Sequence, residues 1–152
     1  MTGRRNSPGL ELADLNEEAV ALGAAILNPE QGRELLDGAC EADFSTSRHK
    51  AIFRAMAALP LPFDYAQVGA ELRRRGELDS VGGYEVIAAL GNGVLLHRRM
   101  QSRLQALREW RKLRALAQLA EEIASKHLLE PGISSAKLLE IVEGRLAEVR
   151  MW

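Results

Sequence analysis

At 152 residues the chain is long enough for one domain with a true core, or for a small domain carrying an appendage. Its apolar share of 47%, its few aromatics and its abundance of Ala, Leu, Arg and Glu fit an α-helical protein, and a net charge of -1 leaves no global basic character that would demand nucleic acid or a membrane surface. A single cysteine, Cys40, excludes an internal disulfide and suits a reducing cytoplasm, and no apolar run approaches ~18 residues, so no segment is expected to span a membrane.

The opening MTGRRNSPG has two arginines and no apolar stretch behind them, which argues against a secretory signal, and residues 1–13 read as a disordered tail. Residues 10–28 read as the first helix, capped by Asp14 with Glu17 three residues on, and Leu15, Ala19, Leu22 and Ile26 recur at helical spacing. Gly23 inside it costs about 1 kcal/mol against Ala, so a close helix contact is expected there. Asn28-Pro29 closes that helix and opens the next, which carries Leu35 and Leu36 and stops at Gly38. Asp43-Phe44-Ser45-Thr46 reads as an irregular joint. Ser45, Thr46 or Ser47 then caps a helix with Ile52, Phe53, Met56 and Leu59 on its core face, ended by Pro60 and Pro62.

From Asp64 to Leu90 the pattern predicts two short helices. Asp64 and Gln67 stand at capping-box spacing, Val68 and Leu72 share a face, and Arg73, Arg74 and Arg75 suit the negative end of the helix dipole. Gly76 fits a positive φ just past that end, and Leu78 can fold back over it. Asp79 and Ser80 are candidate caps for the second helix, whose apolar face is Val86, Ile87 and Leu90; Gly82-Gly83 suggests close backbone packing. Gly91-Asn92-Gly93 is the clearest break in the chain.

Beyond the break no Gly or Pro interrupts Arg98 to His127, enough for a helix of roughly 40–45 Å at 1.5 Å per residue. Met100, Leu104, Leu107, Trp110, Leu113, Ala117, Ala120 and Ile123 step along it by three or four. Pro131-Gly132 makes a turn, and Ser134 or Ser135 caps a last helix with Leu139, Val142, Leu146 and Val149 on one face. The expected fold is all-α: a compact multi-helix head over residues 14–93, followed by a long antiparallel helical hairpin over 94–152. Two helices alone have little to bury their stripes against. The stripes therefore want the head or a second copy of the hairpin, and Leu104, Leu107, Trp110, Leu113, Leu139, Val142 and Leu146 are the expected self-association residues.

The run D-x-x-x-V-x-x-E-L-R-R-R-G-E-L-D-x-V-G-G, beginning at Asp64, resembles the N-terminal domain of the DnaB-type replicative DNA helicases. The similarity extends without gaps from about Leu15 to Glu122. Leu22 to Pro29 (LGAAILNP) resembles the family's first helix and its exit, and Asp43, Phe44, His49, Ile52 and Phe53 match its Asp-Phe, His and Ile-Phe. Asp64, the Gly82-Gly83 pair, Val94, Arg108, Glu109 and Arg114 fall at familiar positions. Leu95 stands where the family usually has proline, and Arg99 and Arg103 replace its Asn and Tyr, which makes the neck before the hairpin more basic. The resemblance implies heads and hairpins that pair into dimers, with three dimers forming a collar over the helicase ring that also takes part in binding primase and loader proteins.

Such helicases carry a RecA-like ATPase domain as well. A P-loop needs Gly-Lys-Ser/Thr so that backbone amides and one lysine meet the phosphates, yet Lys50, Lys112, Lys126 and Lys137 follow His, Arg, Ser and Ala. No catalytic residue and no cofactor is expected. His49 has no ligand set at metal spacing and reads as a packing or hydrogen-bonding histidine, Cys40 as a buried or inert thiol, and Glu17-Glu18 and Glu121-Glu122 as solvated surface. The sharpest competitor is the basic arm from Arg98 to Arg114, with seven Lys or Arg, one acid and Trp110. Within it Arg98, Arg99, Arg103 and Arg111 are the candidate nucleic-acid contacts.

The expected function is that of a non-catalytic interaction and oligomerisation module of a replicative helicase in DNA replication, cytoplasmic and bacterial or phage-encoded. Its expected partners are further copies of itself (dimers, or a trimer of dimers) and primase, helicase or loader proteins, with only indirect DNA contact. The alternative is a stand-alone regulatory or DNA-associated protein of phage or plasmid type, which pairs with a helicase or binds single-stranded DNA. On this reading Leu107→Asp should break the assembly and leave the head folded.

Overall fold

The structure, a computed structural model, describes residues 12–95 and 98–152, and among these every regular element is helical. The expected tail at 1–13 lies almost wholly outside the described residues. Helix α1 spans Leu15–Leu27, with Asp14 accepting from the Glu17 amide at 2.9 Å as its cap. Asn28 then caps α2, Pro29–Gly38, by accepting from the amides of Glu30 and Gln31. A 3₁₀ turn at Glu41–Asp43 leads to α3, Ser47–Ala57, capped by Thr46. Helix α4, Tyr65–Arg74, opens with the reciprocal Asp64–Gln67 box, at 2.8 and 2.9 Å, and ends before Gly76 at φ +73°.

Where two helices are expected between Asp64 and Leu90, three form: α4, then α5 at Leu78–Val81 and α6 at Gly83–Ala89. The cause is backbone conformation. Gly82 and Gly83 have φ of +105° and +82°, a region in which a right-handed helix cannot continue, so the helix stops after Val81 and restarts. A Cβ built on Gly83 meets nothing within 4 Å, so conformation rather than close packing requires glycine there. Asp79 and Ser80 do not serve as caps: α5 begins at Leu78, and the Ser80 hydroxyl donates to the Glu77 carbonyl at 2.8 Å.

Two compact units emerge, one of residues 14–107 and one of residues 108–152 with Leu12 and Ala13. In the first, the head, α1 packs on α2 and α3, while α4 packs on α3, α5 and α6. Leu22, Leu35, Phe44, Ile52, Met56, Val68, Leu72 and Ile87 fill its core, and Phe44 and Phe53 stack obliquely with ring centroids 5.1 Å apart. Met100, Leu104 and Leu107, from the first turns of α7 (Met100–Ser125), belong to the same core. The head therefore extends past the Gly91–Gly93 break, because the apolar face that begins the long helix is needed to close it.

Gly23 marks the tightest approach in the head. A Cβ there would stand 1.9 Å from the Leu90 carbonyl oxygen and 2.6 Å from its carbon, so α1 and the end of α6 meet backbone to backbone. Gly23→Ala gains about 1 kcal/mol of helix propensity but overpacks a contact that only backbone movement can relieve, a cost of about 1–3 kcal/mol or more. A net loss of stability is expected, read as a lower urea midpoint with unchanged helicity.

The second unit is the hairpin. After α7 come a 3₁₀ turn at His127–Leu129, Gly132 at φ +76° and then α8, Ser135–Arg150, whose cap Ser134 accepts from the Lys137 amide at 3.1 Å. Glu122 pairs with Arg145 at 3.0 Å, and Arg111 lies 3.9 Å from the centroid of the Trp152 ring. As one member of these pairs moves down α7, its partner moves up the last helix, which is the signature of an antiparallel pair.

Candidate interaction surfaces

The apolar stripe expected along the hairpin divides in two. Leu104 and Leu107 are each 1% exposed within the head core, so they are not open to a partner, a correction to their expected place in a self-association surface. The three- and four-residue steps from Leu107 onward look continuous in sequence, but the helix passes from one compact unit to the other at Arg108. The remainder of the stripe stands differently. Trp110, Val142 and Leu146 are half-buried, Leu113 is 43% exposed and Leu139 59%, and no residue of α8 is fully buried. Leu116 and Leu128, outside the expected set, are exposed as well. The hairpin thus presents several large aliphatic side chains at its surface.

The four arginines proposed as nucleic-acid contacts do not form one surface. Arg103 is 2% exposed: its guanidinium pairs with Glu17 at 3.5 Å and donates to the Leu95 carbonyl at 3.2 Å, so it is not available to phosphate. Arg98 reaches the other oxygen of Glu17 at 3.1 Å. Arg99 is exposed but shares a cleft of about 370 Å³ with Glu30 and Glu34, whose carboxylates would repel a phosphate. Arg111 covers the Trp152 ring. Acidic side chains of α1 and α2 thus face the three arginines at the start of the basic arm.

The same burial corrects the reading of Glu17-Glu18 as solvated surface. Glu18 is 1% exposed and accepts from the Ser45 amide at 2.8 Å, the Ser45 hydroxyl at 2.5 Å and the Nδ1–H of His49 at 3.1 Å. Burial opposes its charge, but the hydrogen bonds from His49 and Ser45 outweigh that cost and hold the carboxyl below its ordinary range. His49 therefore serves as a hydrogen-bonding core histidine, tying α3 to α1. Cys40 is exposed rather than buried, at the turn where its amide donates to Asp43 at 2.8 Å. Among the described residues no group of His, Cys, Asp and Glu could hold a metal ion, and no helix is long and apolar enough to cross a membrane.

A head of short helices around one apolar core, and a two-helix hairpin with aliphatic side chains at its surface, define an all-α helical domain. The chain belongs to the family of DnaB-like helicase N-terminal domains, whose model matches residues 11–109. It is 25% identical over 138 residues to the replicative DNA helicase DnaB of Buchnera aphidicola subsp. Baizongia pistaciae, an alignment covering 89% of this chain and 30% of that protein. In fold it is similar to the crystal structure of the N-terminal domain of DnaB helicase from Mycobacterium tuberculosis, with a TM-score of 0.78, 23% identity, and coverage of 89% of this chain and 96% of that one. What is matched is the non-catalytic N-terminal domain of these helicases and not their ATPase domain.

Proposed function

We propose that the chain is the self-associating collar module of a replicative helicase, its hairpins pairing into dimers and its dimers assembling over a helicase ring, where it also offers docking surface to primase or loader proteins in the cytoplasm. The observation that carries this reading is the hairpin surface: Leu113, Leu116 and Leu139 stand exposed, and α8 buries none of its residues within the chain. Pairing of two hairpins would remove that surface from water, at ~1.5–3 kcal/mol for each leucine fully covered. Direct binding of single-stranded DNA has less support, since Arg98 and Arg103 are both engaged by Glu17.

Light scattering over a wide concentration range tests the proposal. The chain is expected to run as a dimer or larger assembly, and Leu139→Asp to raise the dissociation constant by about 30-fold or more, the equivalent of losing one hot-spot residue. Leu139 lies in the hairpin unit and is exposed, so the head should keep its helicity and unfolding transition in this variant. A strict monomer, or an unchanged mass for Leu139→Asp, would overturn the reading.

A further inference from the structure

We draw no further inference here: the strongest candidate, the groove of about 240 Å³ along α8 between Lys137 and Glu148, is lined by two cations and two carboxylates beside Ile141 and Gly144, and nothing in the structure shows what covers it.

Discussion

Leu107→Asp is expected to unfold the head rather than dissociate an intact one. The side chain is 1% exposed in the core built by α1 to α6, so the substitution empties its place and puts a carboxylate there with no cation to receive it. Loss of the buried leucine alone costs about 2–5 kcal/mol, and an unpaired buried charge adds several more, against a typical total stability of about 5–15 kcal/mol. Circular dichroism against urea should show the cooperative transition shifted to very low denaturant or absent. The sequence-based expectation that this variant would leave the head folded is therefore corrected, and a change in mass on Leu107→Asp would report unfolding rather than an interface. A native-like transition in the variant would mean that Leu107 is not a core residue in solution.

Loss of the Glu18 carboxylate should have the second-largest effect. Glu18→Ala leaves the Ser45 amide, the Ser45 hydroxyl and the His49 ring without their shared acceptor in a site closed to water. Unsatisfied buried donors cost about 1–3 kcal/mol each, with some recovered by relaxation, so a loss of about 3–5 kcal/mol is expected by urea titration. The same group makes a pH signature. Its carboxyl titrates lower in the folded chain than its ordinary value of 4.5, so its stabilising contribution is fully present above that value. That contribution disappears as the pH falls through the lower, folded-state value. The urea midpoint of the native chain should therefore decline as the pH falls below the ordinary value of 4.5, and the decline should be shallower in Glu18→Ala. Equal slopes in the two proteins would show that the carboxyl is not held low by folding.

Local features of the fold were legible in the sequence because their causes are local. The Asp14, Asp64 and Ser134 caps, the Asp64–Gln67 box and the positive φ of Gly76 each depend on residues within a turn of one another. The family was legible too, because several separated motifs fall in one register. What could not be read depends on partners brought from far along the chain. Glu17 and Glu18 look like the polar face of a helix until Arg103 and His49 arrive, and Arg103 looks like a phosphate ligand until Glu17 does. Leu104 and Leu107 continue a stripe whose other members sit in a different compact unit, and periodicity along one helix carries no mark of that division. The seat of the Tyr84 ring on Gly69 was missed for a related reason, since it joins residues of two different helices.

The ion pair between Glu17 and Arg103 joins residues 86 positions apart, and the methionine and leucines around Arg103 complete the core that α1 begins. On a ribosome the chain appears in order, so Leu22, Ile52 and Leu72 emerge well before the turns that cover them. The head cannot close until residues up to Leu107 have cleared the exit tunnel, and until then its apolar face must stay in solution or against a chaperone. Its birth as a folded body is thus timed by the start of the hairpin helix, not by the end of the head's own short helices.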